Sequence, residues 1–389
     1  MLLCALGYSE GSGTACRSVA VSAMLLSKEV LAWPFLLGGW TERGVPLESC
    51  CHPSEGHEVE DICFGPRGRH NEHSTTHILM RIFFATDLHG SDTCFRKFLA
   101  AKAFYSADVL ILGGDYTGKA LLPLVHGSHG YRAELFGRQH LLRSEAEMTA
   151  FEQRARQFGY YTLRVSSEEL ERLEYDHAYR QRREDELICE RLEQWIAMAA
   201  DRLPGDSKIY ICPGNDDPPV TDALLESAPP FVWIERRFVE LPEGYSLMGF
   251  GGSNPTPWNT PREYQDEEIA TALSLMQHSE WSRTVCSIHV PPIDSGVDLA
   301  PELDSKLQVR TAPGEVALYP VGSPAVREFI EHKGPLLALC GHVHEAQGKS
   351  KIGPTLCLNP GSTYNQGVLS GVLVDLRAGT VQSTQFTSG

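Results

Sequence analysis

Five short polar runs stand directly behind apolar stretches: Asp87-Leu88-His89 behind 81–85, Gly113-Gly114-Asp115 behind 109–112, Gly214-Asn215-Asp216-Asp217 behind 208–212, His289 behind 284–288, and Gly341-His342-Val343-His344 behind 336–339. The apolar stretches have the length of buried strands, and a helical pattern over 95–107 separates the first two. Strands that alternate with helices predict a parallel sheet, which delivers the C-terminal ends of its strands to one rim. Residues far apart in sequence can meet there. Asp, Asn and His supply the oxygen and imidazole donors that divalent cations take.

Singly, each run has an ordinary explanation. Asp87-Leu88-His89 reads as a capped turn, Asp115 as a helix cap behind two glycines, and His289 as a buried imidazole bonded to backbone. The pair His342 and His344 is harder to dismiss, because two imidazoles two positions apart behind a glycine enter one small volume and repel when protonated. The order of all five runs carries the weight.

That order resembles the calcineurin-like metallophosphoesterase superfamily, whose pattern runs D-x-H, G-D, G-N-H-D/E, H, G-H-x-H. The resemblance spans Asp87 to Ser362, with Asn359-Pro360-Gly361-Ser362 matching a common downstream turn. It implies an α/β fold, a four-layer α/β/β/α sandwich of two mixed sheets, and two divalent metal ions, of which Mn, Fe, Zn, Ni and Co all suit the donors. By the same resemblance Asp87, His89 and His344 hold one metal, Asn215, His289 and His342 the other, and Asp115 bridges them.

One position departs from the pattern. Where the family places a histidine after the motif asparagine, this chain has Asp216, followed by Asp217. Asp216 is the candidate catalytic residue, yet a carboxylate beside divalent cations is a poorer proton donor than an imidazolium. The expected activity is therefore phosphoester hydrolysis leaning to phosphodiesters, because an activated phosphodiester or pyrophosphate-like bond needs less protonation of its leaving group than a simple alkyl monoester, unless Asp216 and Asp217 share a proton. A phosphomonoesterase of the same fold and a non-catalytic metal-binding scaffold are the alternatives. The Ser/Thr protein phosphatase branch fits poorly, because Gly114-Asp115-Tyr116-Thr117-Gly118-Lys119 lacks its Asp-Arg pair. Asn254, in the loop Gly251-Gly252-Ser253-Asn254-Pro255, is the candidate substrate contact.

A formal net charge of −16 over 389 residues disfavours nucleic acid and anionic membrane, which reward Lys and Arg. A small phosphorylated substrate remains suitable, because bound cations supply the positive charge locally. Oligomeric state is left open. The 11 cysteines form no CxxC pair, and Cys286, Cys340 and Cys357 sit in apolar runs, which suits core thiols in a cytoplasmic protein.

Residues 1–79 read as a poorly structured extension with no signal peptide or membrane span, and Met80 as a possible start of the functional domain, 80–389. Cys50, Cys51, His52, His57 and Cys63 match no zinc-finger spacing. The interval between Asp115 and Asn215 is too long for one crossover, so an insertion is expected at about 117–204: a hairpin over 121–142, then helices opened by capping boxes at Ser144 with Glu147 and Ser166 with Glu169. The stripe Ile188, Leu192, Trp195, Ile196 and Ala199 marks the strongest helix. These helices either present solvated faces or cap the site.

Overall fold

The computed structural model describes residues 78–304, 307–312 and 315–389. The expected extension, apart from Ile78 and Leu79, and the cysteine and histidine cluster within it lie outside the described residues. From Met80 the chain runs β1 (Met80–Ala85), α1 (Asp92–Phe104), β2 (Val109–Leu112), β3 (Leu121–Gly127), β4 (Gly130–Leu135), β5 (Arg138–Leu142), α2 (Glu145–Gln157), β6 (Tyr161–Val165), α3 (Ser167–Tyr175), α4 (His177–Arg202), β7 (Ile209–Ile211), α5 (Asp222–Glu226), β8 (Phe231–Trp233), β9 (Phe238–Leu241) and β10 (Tyr245–Phe250). It continues through α6 (Asp266–Ser274), β11 (Thr284–Ile288), short strands β12 (Leu299–Pro301), β13 (Thr311–Ala312), β14 (Glu315–Val316) and β15 (Leu318–Pro320), α7 (Pro324–Lys333), β16 (Leu337–Leu339), β17 (Gly348–Ile352), β18 (Thr355–Asn359), β19 (Ser370–Arg377) and β20 (Thr380–Ser388).

Two six-stranded mixed sheets result, ordered β20-β19-β1-β2-β7-β8 and β17-β18-β16-β11-β10-β9. In the first, β1, β2, β7 and β8 are parallel neighbours; in the second, β10, β11, β16 and β18 are. Antiparallel strands close the edges at β20, β17 and β9.

The layers follow from the two-residue period of a strand, which sends alternate side chains to opposite faces. Ile82 and Phe84, Val109 and Ile111, and Tyr210 join Leu247, Val285, Leu337 and Leu339 in one core between the sheets. Phe83, Leu110, Leu112, Ile209 and Ile211 face the other way, onto Phe95 and Phe98 of α1 and Leu192 and Trp195 of α4. Met248, Phe250, Cys286, Ala338 and Cys357 face Ile269 and Leu273 of α6 and Val326, Phe329 and Ile330 of α7. Three stacked cores make the expected four-layer α/β/β/α sandwich. Cys286, Cys340 and Cys357 are core thiols as expected.

Between β2 and β7 stands a four-stranded sheet, β5-β4-β3-β6, with its own core of Leu122, Leu124, Leu135, Met148 and Phe151. The expected hairpin over 121–142 is a three-stranded meander, and β6 adds parallel to β3. Both capping boxes form, at Ser144 with Glu147 and Ser166 with Glu169. Ile188, Leu192, Trp195 and Ala199 make the buried face of α4. No helix among the described residues is long and apolar enough to cross a membrane.

Candidate metal centre

Each polar run occupies the loop directly after a parallel strand, and backbone hydrogen bonds prolong the sheet pairing into those loops. Asp87 N donates to Gly114 O (2.9 Å), His89 N to Asp115 O (2.8 Å) and Gly90 N to Tyr116 O (2.8 Å), which locks the loop after β1 to the loop after β2. Gly341 N donates to His289 O (2.9 Å), so the loops after β16 and β11 are tied likewise.

Backbone strain concentrates here. Asp87 (φ 55°), His89 (φ 42°), Asp115 (φ 49°) and His342 (φ 66°) all adopt left-handed conformations, which cost non-glycine residues roughly 1–3 kcal/mol each. Strain of this kind persists where the surrounding structure fixes a functional geometry. Gly114 (φ 108°) shows how tight that fixing is: a Cβ there would stand 2.6 Å from Gly214 N and 2.7 Å from His289 Nδ1.

The side chains of all seven expected donors come together. Asp87, His89, Asp115, Asn215 and His289 are at most 4% exposed. His289 Nδ1 lies 2.9 Å from the Gly113 carbonyl, so Nδ1–H donates there and Nε2 is turned inward, 3.1 Å from Asn215 Oδ1 and 3.4 Å from Asp115 Oδ2. His342 Nδ1 stands 2.7 Å from the same Asn215 oxygen. Asn215 itself is oriented by donating Nδ2 to Thr260 Oγ1 (2.9 Å). On the other side, His344 Nε2 lies 3.4 Å from Asp87 Oδ1 and 3.1 Å from His89 Nε2. Asp115 Oδ2 reaches both halves, 3.7 Å from His89 Nε2 and 3.4 Å from His289 Nε2.

The donor chemistry fits divalent cations. Ligand atoms of Asp87, His89 and His344 lie within 4.8 Å of one another, as do those of Asp87, Asp115 and His289, and those of His89, Asp115 and Asp216. The inward atoms are oxygens and imidazole nitrogens with lone pairs to offer. His89 Nε2 and His344 Nε2 face each other, and at most one of them can carry a hydrogen along that line.

Protonation in the metal-free centre reflects this crowding. Burial opposes charge on His289, but Asp115 and Asp87 overcome it and raise the imidazole to about 10. Burial raises the Asp115 carboxyl, an effect that His289 partly offsets. Burial and the His289 charge push His342 down to about 3, and burial with the Lys119 charge holds His89 well below the usual imidazole range. His289 is thus the imidazole whose surroundings, Asp115 and Asp87, favour a bound proton. A cation entering the centre must displace it, so apparent Mn affinity should rise about tenfold per pH unit between roughly pH 6 and 8. Calorimetry in two buffers of different ionisation enthalpy would then register one proton released per chain; an affinity that ignores pH would refute this assignment.

Asp216 and Asp217 turn to different partners and take two separate roles. The Asp217 carboxylate accepts from Gly214 N (2.7 Å), Thr117 N (2.8 Å) and Thr117 Oγ1 (2.8 Å), and braces two loops from beneath. Burial and then the Asp115 charge raise it to about 7. Asp216 instead pairs with Lys119, Nζ to Oδ2 at 2.9 Å, and its N–H donates to Asp115 Oδ1 at 2.9 Å. Lys119 is the residue whose part in the site the sequence did not reveal. Asn254 donates Nδ2 to Val321 O (3.3 Å), tying its loop to the segment before α7. The downstream turn supports the centre: Asn359 Nδ2 donates to the carbonyls of Gly341 (3.2 Å) and Val343 (3.0 Å), and Ser362 Oγ to that of Asp87 (2.7 Å).

The fold and the site together define an α/β sandwich with a candidate metal centre on its rim. No protein-family model matches the chain. The Uncharacterized protein MJ1162 of Methanocaldococcus jannaschii is 32% identical over 155 residues, which cover 39% of this chain and 63% of that protein, so the match spans less than two thirds of the relative. Among solved structures, TT1561 of Thermus thermophilus aligns over 80% of this chain and 99% of its own, at 15% identity and a TM-score of 0.40. Yfce, a phosphoesterase from E. coli, aligns over 79% and 98% at 15% identity and a TM-score of 0.27. The 5'-nucleotidase precursor of Thermus thermophilus aligns over 80% and 54% at 12% identity and a TM-score of 0.35.

Proposed function

We propose that this chain is a dinuclear-metal-dependent phosphoester hydrolase of the calcineurin-like metallophosphoesterase kind, with a preference for phosphodiesters of small substrates. The observation that carries the reading is the convergence of seven donors from five strand ends, with Asp115 Oδ2 facing His89 on one side and His289 on the other. Asp87, His89 and His344 would hold one cation, Asn215, His289 and His342 the second, and Asp115 would bridge them. Bound there, a divalent pair supplies positive charge for phosphoryl oxygens and a water acidified enough to attack phosphorus.

The chain's own residues do the rest. The Gly113 carbonyl fixes the tautomer of His289, and Thr260 fixes the amide of Asn215, so these donors are presented without reorganisation. Asp216 is held by Lys119, which leaves no imidazole at that position to protonate a leaving group. This favours esters whose leaving group departs with little protonation.

The test is turnover by the full-length, Mn-supplemented protein on bis(p-nitrophenyl) phosphate and p-nitrophenyl phosphate side by side. The diester should be cleaved with the higher kcat/KM. A preference for the monoester would overturn the diesterase reading, and a stoichiometric metal pair with no turnover of either would favour the scaffold.

A further inference from the structure

The loop between β2 and β3 sends one cation to the centre. Its backbone is held on both sides of Lys119: before it, Thr117 is anchored on the Asp217 carboxylate and Gly118 N donates to Tyr161 Oη at 2.8 Å, and after it the Ala120 carbonyl accepts from Tyr161 N at 3.0 Å. Gly118 also packs so closely that a Cβ at 118 would collide with both the Gly159 carbonyl and the Tyr161 ring. Lys119 thus leaves a fixed stem, and its ammonium lands 2.9 Å from Asp216 Oδ2 with the side chain 26% exposed. Asp216 is fixed in turn through its N–H on Asp115 and lies 3.6 Å from His89 Nδ1.

We propose that Lys119 is the residue that contacts the phosphoryl oxygens of the substrate, with Asp216 as the positioning residue that aims it. The proposal rests on the phosphoester reading of this centre and names the group that grips the anion. A lysine ammonium is a compact charge whose donors turn about one axis. Held on Asp216, it keeps that charge aimed at the rim where the donors of the centre converge. Charge-assisted contacts of this kind grip phosphate wherever the surroundings exclude water. The position that a family histidine would fill is, in this chain, taken by an ion pair. The ammonium of such a pair offers positive N–H donors where an imidazole would offer a transferable proton.

The experiment measures inorganic phosphate binding by calorimetry to the full-length, Mn-loaded protein, with Mn content determined for every sample. K119M should weaken phosphate about 10- to 100-fold, the range for losing one hydrogen bond to a charged group, at unchanged Mn content. K119R keeps the charge and should recover most of the loss. The double variant K119M/D216N separates direct contact from mere neutralisation of Asp216: it should bind phosphate as poorly as K119M. Recovery of binding in the double variant, wild-type affinity in K119M, loss of Mn from K119M, or absence of phosphate binding by the wild type would each overturn the proposal. Failure of the underlying reading looks different: a wild type that binds phosphate through Lys119 but turns over neither chromogen sinks the hydrolase and upholds Lys119.

Discussion

Asp115→Asn should lower kcat/KM on the preferred phosphoester by at least about 10³-fold while leaving the metal-free protein folded. The size follows from the bridging role proposed for Asp115: bound cations would supply several kcal/mol of transition-state charge stabilisation, each 1.36 kcal/mol being a tenfold change in rate, and the carboxylate that would hold both is lost. The amide keeps the shape of the side chain, but it presents a neutral oxygen or an NH₂ where Oδ2 now faces His89 and His289. Folding should suffer little, because the amide removes a charge that burial disfavours and His289, whose proton Asp115 helps to hold, can then become neutral in the metal-free protein. Two measurements separate these effects. Tm without metal should stay within a few degrees of wild type, whereas the rise in Tm that saturating Mn gives the wild type, equivalent to about 2.7 kcal/mol per site at a hundredfold excess over Kd, should largely vanish. A variant that retains both its Mn and its turnover would remove Asp115 from the bridge.

The parts of this molecule that could be read from its sequence are those whose cause is local. Val109–Leu112 and Thr284–Ile288 are buried on both faces, so their apolar runs end where the strands end. Ser144 and Ser166 form their capping boxes from residues three apart. The edge strands β8 and β17 are hard to read from sequence for a physical reason: β17, Gly-Lys-Ser-Lys-Ile, alternates lysines toward solvent as an edge strand does, and β8 is three residues long. Within the centre, the seven proposed ligands could be picked out because each lies just past a strand whose end the sequence marks, and their assignment to metals came from the resemblance. Lys119 could not, since its partner Asp216 belongs to another loop and only folding joins them. The left-handed backbone at Asp87, His89, Asp115 and His342 is equally silent in sequence, because no glycine announces it.

Arg191→Met tests whether the insertion is a separate cover or a structural wall of the centre. Arg191 lies on the buried face of α4 and is 5% exposed. Its Nη1 donates to the carbonyl of Gly90 (2.6 Å), the neighbour of His89, and its Nη2 to that of Tyr160 (3.2 Å). Asp92 Oδ1 lies 3.6 Å from Nη1 and accepts from Trp195 Nε1 at 2.7 Å, while Trp195 stacks on Phe95 of α1 with ring centroids 4.1 Å apart. One guanidinium thus joins the insertion helix, the metal loop and the helix that follows it. Methionine fills similar space but strands two buried carbonyls and leaves Asp92 with fewer partners, a change that costs about 3–5 kcal/mol when a buried charged group loses its counterpart. At roughly 2–4 °C per kcal/mol, Tm should fall by about 6–20 °C. Because Gly90 follows His89, a ligand of the proposed centre, Mn affinity should also drop, by about the 10- to 100-fold that loss of an outer support typically costs. Arg191→Lys should not rescue, since a single ammonium cannot span both carbonyls as the planar fork does. If Tm fell but Mn affinity held, α4 would be a stabilising element only; if neither moved, the insertion would be a cover with no mechanical hold on the loop that carries His89.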